Sequence, residues 1–239
     1  MSAPGETGTA LVTGAGRGIG REVARQLAQR GYEVLLGARD PERARMAADE
    51  LSQETSGTVR PVALDVSDPQ SIARARVQIG SDPGRLDVLV NNAGVGLDFG
   101  VSGLEPDFEV MEQTLQTNFF GAYRTALAML DLLRASDHPR IVNVSSGMGG
   151  ISEMGGWSPG YRVSKASMNA MTRILSTELT SDGVLVNSAC PGFVASDMGT
   201  PMGATKSLED GAAGIVWLAT LPDGGPTGGF FRDGQPVAY

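Results

Sequence analysis

The sequence has 239 residues, 41% hydrophobic and 19% charged, and a chain of this length can bury a large core without disulfides. Its 19 basic and 27 acidic side chains give a net charge of −8, and no basic tract exceeds two residues, which excludes nucleic acid as an expected partner. The single cysteine, Cys190, and the single histidine, His138, exclude an intrachain disulfide and a multi-histidine metal site.

We predict residues 1–8 to be a flexible leader. The N-terminal segment has neither the basic start nor the apolar run of a signal peptide, so we do not expect one. No later apolar stretch approaches the roughly 18–20 residues of a membrane span. We therefore expect a cytoplasmic protein without a metal, a membrane partner or a nucleic-acid partner.

Apolar strand-like runs then alternate with helical patterns. The predicted strands are TALVTG, YEVLLGAR, RPVALDV, RLDVLVNNAG, RIVNVSS, GVLVNSACPG and TGGFFRDG. The helix after the second strand has Asp40 as its N-cap and Pro41 in its first turn. This β-α-β alternation, without a linker or an internal repeat, predicts a parallel sheet with helices on both faces, in one domain spanning residues 1–239.

The first strand runs into the glycine-rich segment Thr13–Gly20, TGAGRGIG. Gly14, Gly18 and Gly20 would let backbone amides approach a pyrophosphate at the start of the following helix. The glycine pattern by itself is weak, and a tight turn without a ligand is the alternative. The strand–turn–helix context favours the phosphate site, and no nucleotide-triphosphatase loop motif is present.

The second strand ends in GARD, where the residue type indicates which dinucleotide is bound. A carboxylate here usually receives the free ribose hydroxyls, whereas an arginine accommodates a 2′-phosphate. Arg39 precedes Asp40, and Arg17 lies in the glycine loop, so we expect NADPH. The alternative is that Asp40 holds the ribose and that NADH is preferred.

Further polar residues follow the later strands, where ligands of such sheets bind. Asp65 and Val66 are placed to contact the adenine, and the NNAG segment, which includes Asn92, Ala93 and Gly94, can pass the cofactor. Asn118 lies within a helical pattern although asparagine is a poor helix former, which indicates a partner or a function.

The segment from Gly160 to Leu175 predicts a helix on which Tyr161, Lys165 and Asn169 share one face. Two apolar stripes flank this polar strip, and a helix that is apolar on two sides is expected to be mostly buried. The stripes comprise Val163, Ala166, Ala170 and Ile174, and Met168, Met171, Leu175 and Leu179.

TGAGRGIG, LDV, NNAG, Asn118, VNVSS, Tyr161-x-x-x-Lys165 and PGFVASDM occur in an order that resembles the short-chain dehydrogenase/reductase family. The resemblance covers nearly the whole chain after Thr9. It implies a Rossmann-type, doubly wound, mostly parallel sheet of seven strands. It also implies further cofactor contacts from Ile19, Pro191, Gly192 and Val194.

The resemblance further implies roles for four catalytic residues. Tyr161 would be the general acid for a carbonyl oxygen, and Ser146 would hydrogen-bond that oxygen. Lys165 would hold the nicotinamide ribose, and Asn118 would anchor a water of a proton relay. We expect Lys165 and the positive nicotinamide to lower the pKa of Tyr161.

Within the family, the resemblance is closest to NADPH-dependent carbonyl reductases, and it implies reversible reduction of a ketone or aldehyde. Their monomeric members carry an insertion before the tyrosine that this chain lacks, so the resemblance does not imply a monomer. We expect a homo-oligomer, a dimer or a tetramer, because the helix after Tyr161 and the helix around Asn118 offer more apolar surface than one sheet face can cover. Gly16 stands where many relatives have asparagine. The predicted substrate pocket comprises Met148, Met154, Trp157, Phe193 and Met198.

Three alternatives remain open. The first is an NAD-dependent alcohol dehydrogenase of the same family. The second is a nucleotide-sugar epimerase or dehydratase, although those relatives add a substrate domain. The third is a catalytically silent NADPH sensor, which intact Ser146, Tyr161 and Lys165 disfavour.

Overall fold

A computed structural model describes residues 8–239, so the expected leader lies, except for Gly8, outside the described residues. Within that range the strands are β1 Thr9–Val12, β2 Glu33–Ala38, β3 Val59–Ala63, β4 Val88–Asn91, β5 Arg140–Val144, β6 Leu185–Cys190, β7 Phe230–Arg232 and β8 Gln235–Pro236. The helices are α1 Gly18–Gln29, α2 Pro41–Thr55, α3 Pro69–Ser81, α4 Phe108–Leu115, α5 Ala122–Ala128, α6 Leu130–Arg134, α7 Pro159–Glu178 and α8 Leu208–Ala219.

All these strands form one sheet in the order β3-β2-β1-β4-β5-β6-β7-β8. Neighbours are parallel from β3 to β7, and β8 is antiparallel to β7. The doubly wound fold is therefore confirmed, with one strand more than the seven expected. The sequence did not reveal β8 because a two-residue strand that ends in proline has no alternating pattern.

The two faces of the sheet bury separate cores. Leu11 and Leu35 point to one face and Val12 and Leu36 to the other, and all four are at most 2% exposed. Helices α1, α2 and α8 cover the second face, while α3, α5 and α7 cover the first. Ligands of such parallel sheets bind beyond the carboxyl ends of the strands, so the candidate site is expected at that edge.

The two apolar stripes of α7 have different surroundings. Met168 and Met171 are buried in the core, whereas Val163 is 41% and Ile174 is 50% exposed in the single chain. The expectation of a mostly buried helix is therefore wrong for the stripe that contains Val163 and Ile174, because no element among residues 8–239 covers it. None of the helices in this range is both long and apolar enough to span a membrane.

Candidate active site

The glycine loop after β1 has a left-handed backbone, which favours glycine, at two positions. Gly14 has a φ of +63°, and a Cβ there would lie 2.8 Å from the Cα of Ala93. Gly18 has a φ of +58° and open space on the side where a Cβ would project. The loop therefore packs against the NNAG segment on one side and remains open on the other.

The N-terminus of α1 differs from those of the neighbouring helices. Asp40, Asp68, Asp107 and Ser207 accept hydrogen bonds from first-turn amides of α2, α3, α4 and α8. In the described part of the chain, no side chain caps α1, whose N-cap residue is Arg17. Free amides at a helix N-terminus bind anions, so the loop and helix fit a dinucleotide pyrophosphate.

A cavity of about 360 Å³ extends along the carboxyl edge of the sheet from this loop. Most of the residues predicted to bind the cofactor line this cavity. These are Gly14, Arg17, Gly18, Ile19, Gly20, Arg39, Asp65, Val66, Asn92, Ala93, Gly94, Tyr161, Lys165 and Pro191, together with Met198 of the predicted substrate pocket.

Other predicted residues do not line this cavity. Gly192 packs against the Lys206 side chain, and Val194 is buried against Gly211. Trp157 and Phe193 are 61% and 53% exposed. Asn118, Ser146, Met148 and Met154 also lie outside the cavity lining.

At the end of the cavity that is lined by the residues after β2, the carboxylate of Asp40 already accepts two hydrogen bonds. Its Oδ1 accepts hydrogen bonds from the amides of Glu42, at 3.0 Å, and Arg43, at 3.3 Å, as the N-cap of α2. Arg39 and Arg43 line the cavity, and neither forms an ion pair with any carboxylate of residues 8–239. A cavity with free guanidinium groups and an occupied carboxylate suits a phosphate better than ribose hydroxyls alone.

Sequence reasoning missed Arg43. The available signal was its position in the first turn of α2, shortly after Arg39, since both residues line the cavity. A Cβ on Gly16 would lie 3.1 Å from the Cγ of Arg43. Glycine at position 16 therefore leaves room for the Arg43 side chain along the loop.

Arg17 lines the cavity as expected, but its guanidinium is held in an ion pair. Its guanidinium pairs with the carboxylate of Asp197 at 2.7 Å, linking the glycine loop to the segment after β6. Both side chains are about two-thirds exposed, and exposed ion pairs contribute about 0–1 kcal/mol. Support of Arg39 by Arg17 would require this weak pair to open.

Tyr161 and Lys165 lie on the first two turns of α7 and are 8% and 4% exposed. Burial raises the pKa of Tyr161 to about 12, and the hydrogen bond with Ser146 only partly opposes this. Burial also lowers the pKa of Lys165 to about 8. The groups of the protein thus raise the pKa of Tyr161, opposite to the expected direction, because desolvation outweighs the hydrogen bond with Ser146.

Asn118 lies in a π-helical segment, Gln116–Gly121, that joins α4 to α5. Its Oδ1 accepts a hydrogen bond from the Val95 amide at 2.7 Å, and its Nδ2 donates to the Val95 carbonyl and to Ser164 Oγ. A Cβ on Gly94 would lie 3.3 Å from Asn118 Oδ1 and 3.4 Å from Lys165 Nζ. Asn118 therefore has structural partners that account for an asparagine in this helix, and glycine at position 94 leaves the space between Asn118 and Lys165 free of a side chain.

Cys190 and His138, the single cysteine and the single histidine, both have partners within the fold. The Sγ of Cys190 accepts hydrogen bonds from the Gly147 amide at 3.2 Å and from Arg232 Nε at 3.3 Å. His138 pairs with Asp223, near Arg140, which begins β5 at the edge of the sheet opposite the cavity. Residues 8–239 contain no group of three or more histidine, cysteine or carboxylate side chains placed to hold a metal ion.

Comparisons with known proteins agree with this geometry. The profile of the short chain dehydrogenase family matches residues 8–207. Short-chain dehydrogenase/reductase 1 of Saponaria officinalis is 33% identical, with 96% of this chain and 95% of that protein covered. Carbonyl reductase (NADPH) 1 of Mus musculus is 35% identical, over 94% and 95% of the two chains.

The solved structures include a similar fold. The NADPH-bound carbonyl reductase from chicken fatty liver superposes with a TM-score of 0.86 at 27% identity, covering 98% of this chain and 100% of that one. The match to the family profile spans most of the chain, and the relatives align over nearly their full lengths. The chain therefore belongs to the short-chain dehydrogenase/reductase family of oxidoreductases, which use a nicotinamide cofactor.

Proposed function

We propose that this chain is an NADPH-dependent reductase that converts a ketone or aldehyde to an alcohol, reversibly. The observation that carries the proposal is the buried pair of Tyr161 and Lys165 at a cavity that begins at the uncapped N-terminus of α1. Relatives named as NADPH-dependent carbonyl reductases support the same reaction class.

The residues present fit a nicotinamide dinucleotide. The free amides of α1 would hold the pyrophosphate, and Asp65 and Val66 would contact the adenine. Lys165 would hold the nicotinamide ribose, and Pro191 and its neighbours would line the nicotinamide end. A bound nicotinamide supplies the hydride for the carbonyl carbon.

Tyr161 supplies the proton to the carbonyl oxygen. With a pKa of about 12 from burial, the phenol is protonated at neutral pH, as a general acid must be before transfer. Ser146 lies close enough to the Tyr161 hydroxyl to oppose the rise of its pKa, and the Ser146 hydroxyl would also orient the substrate oxygen. Asn118 would anchor a water that returns a proton through Lys165.

NADPH is the cofactor that the charges favour. Arg39 and Arg43 both face the cavity at the adenosine end, and Asp40 is committed to capping α2. Hydrogen bonds between charged partners contribute about 1.5–3 kcal/mol each. A 2′-phosphate would gain these contacts, whereas a free 2′-hydroxyl would not.

The substrate would occupy the side of the site bounded by the segments after β5 and β6. Met148, Met154, Trp157, Phe193 and Met198 make this side apolar, and several of them are largely exposed in the free chain. Exposed large apolar groups beside a catalytic pair are expected to contact an apolar ligand. We propose a carbonyl compound with an apolar body on this basis.

Self-association, one domain over residues 1–239 and a cytoplasmic location complete the proposal. Val163 and Ile174 expose one apolar stripe of α7, and Phe120 and Leu127 are also 39% and 54% exposed. A second copy of the chain could cover such a surface.

The functional proposal is tested by incubating the protein with NADPH and a panel of aryl ketones, ketoesters and aldehydes while NADPH absorbance is followed.

A further inference from the structure

The start of α7 is capped from a distant part of the chain. Asp98 is 3% exposed, and its two carboxylate oxygens accept hydrogen bonds from the amides of Gly160, at 2.5 Å, and Tyr161, at 3.1 Å. These amides belong to the first turn of a helix that begins at Pro159. First-turn amides have no partner within their own helix, and Asp98 supplies it across 62 residues of sequence.

The residue that would normally cap this helix is unable to do so. Ser158 has a left-handed backbone with a φ of +58°, and its hydroxyl accepts a hydrogen bond from the Gly100 amide. Its own amide donates to the Val101 carbonyl at 2.7 Å. The loop that contains Asp98 therefore holds Ser158 away from the helix amides and caps them itself.

The backbone before α7 is strained in a way that requires support. Trp157 and Ser158 both have positive φ values, +59° and +58°, which side chains with a Cβ rarely adopt in succession. Arg162 Nε donates to the Trp157 carbonyl at 2.8 Å. Such strain persists where the surroundings fix it, and it is concentrated at functional sites.

Asp98 and Phe99 contact Tyr161 at its backbone and at its ring, respectively. Asp98 binds the Tyr161 amide, and the ring of Phe99 packs against the Tyr161 ring with centroids 4.9 Å apart. Glycine at position 160 allows the carboxylate to come close, since a Cβ there would lie 3.0 Å from Asp98 Oδ2. We define residues 98–101 as the α7 clamp.

We infer that Asp98 is a positioning residue for proton transfer, setting the place of the Tyr161 hydroxyl through the first turn of α7. This role rests on the proposed reductase function. Tyr161 is the third residue of its helix, where fraying is greatest, whereas Lys165 lies one turn later and is fixed separately by its hydrogen bond to the Val144 carbonyl. Loss of the clamp should therefore affect proton transfer more than cofactor binding.

The test compares Asp98→Ala and Asp98→Asn with the control Asp68→Ala, which removes an aspartate cap from α3. For Asp98→Ala we expect kcat to fall about 10- to 100-fold, since small misplacements of reacting groups have large effects on rate. NADPH Kd should stay within about twofold, because the glycine loop and Lys165 are unaltered. Asp98→Asn should recover part of kcat, because its amide oxygen can still accept one bond, and Asp68→Ala should keep kcat.

The positioning role would be overturned by a kcat for Asp98→Ala within threefold of wild type. It would also be overturned if NADPH binding by Asp98→Ala weakened as much as its kcat fell, or if Asp68→Ala lost as much kcat as Asp98→Ala. Hydrogen exchange of the Gly160 and Tyr161 amides provides a readout without turnover. It should accelerate at least tenfold in Asp98→Ala and remain unchanged in Asp68→Ala; unchanged exchange in Asp98→Ala would also overturn the role. A wild-type protein that reduces no carbonyl compound would instead refute the proposed function, and hydrogen exchange would still decide whether Asp98 holds this turn.

Discussion

The ammonium group of Lys165 lies over the ring of Tyr161, with Nζ 5.7 Å from the ring centroid, and donates its hydrogen bond to the Val144 carbonyl at 2.8 Å. The lysine is buried without a carboxylate partner among residues 8–239, and burial lowers its pKa to about 8. A charged lysine in this place destabilises the fold at neutral pH, which is a common feature of functional sites.

Replacement of Lys165 by methionine should therefore stabilise the protein while removing activity. The ordinary pKa of lysine is about 10.5, so between pH 8 and that value the unfolded chain binds more protons and wild-type stability rises with pH. At pH 7 the destabilisation of the fold by the buried charge is complete and amounts to about 3 kcal/mol. The methionine variant also loses the hydrogen bond to the Val144 carbonyl, which offsets about 1 kcal/mol of the gain. Lys165→Met should gain about 2 kcal/mol at pH 7 in urea unfolding, and this gain should shrink toward pH 10. A gain that does not change with pH, or a loss at pH 7, would contradict the burial argument.

Tyr161→Phe should lower kcat by about 10²- to 10⁴-fold, the usual contribution of a general acid. NADPH should still bind within about twofold of the wild-type Kd, because the change removes only the phenolic hydroxyl. Cofactor fluorescence gives the Kd, and steady-state kinetics gives the rates. Retention of a tenth of the wild-type activity would rule out Tyr161 as the proton donor.

Arg39→Ala should weaken NADPH binding about 10- to 100-fold and leave NADH nearly unchanged, because only NADPH brings a phosphate for the guanidinium to hold. Arg43→Ala should act in the same direction. The matched control is Arg45→Ala, since Arg45 lies on the same helix but pairs with Glu42 and Asp49 and does not line the cavity. Values of kcat/KM for both cofactors provide the measurement. A wild-type preference for NADH would refute the assignment of Arg39 and indicate that Asp40 holds the ribose.

Light scattering at micromolar concentration should detect a dimer or a tetramer. Ile174→Lys should shift the population toward the monomer, because the charge would have to be buried in the interface. Val77→Lys is the control, as Val77 is 67% exposed on α3, away from the α7 stripe. A wild-type monomer, or an equal response of the two variants, would exclude this interface.

The sequence predicted the features whose residues are close together in the chain. The glycine loop, Tyr161 with Lys165, and the Asp40 cap each have a fixed local spacing, so each could be placed on its element in advance. The parallel sheet followed from the alternation of apolar runs and helices, for the same reason.

Features that depend on long-range contacts could not be predicted. A carboxylate in a loop, such as Asp98, has no local pattern that assigns it to a helix 62 residues away. The pairing of Arg17 with Asp197 likewise joins two segments that meet only in the folded chain. The pKa of Tyr161 depends on how completely the fold excludes water, which spacing does not reveal.

The most direct test of the central claim is to trace the hydride itself. Wild-type protein is incubated with a reactive carbonyl compound and NADPH in which both hydrogens of the hydride-donating carbon are deuterium, and the alcohol is analysed by mass spectrometry. We predict an alcohol that contains one deuterium at the former carbonyl carbon, and almost no product from Tyr161→Phe under the same conditions. Absence of reduction across the panel, or an alcohol without the label, would contradict the assignment of this chain as an NADPH-dependent carbonyl reductase.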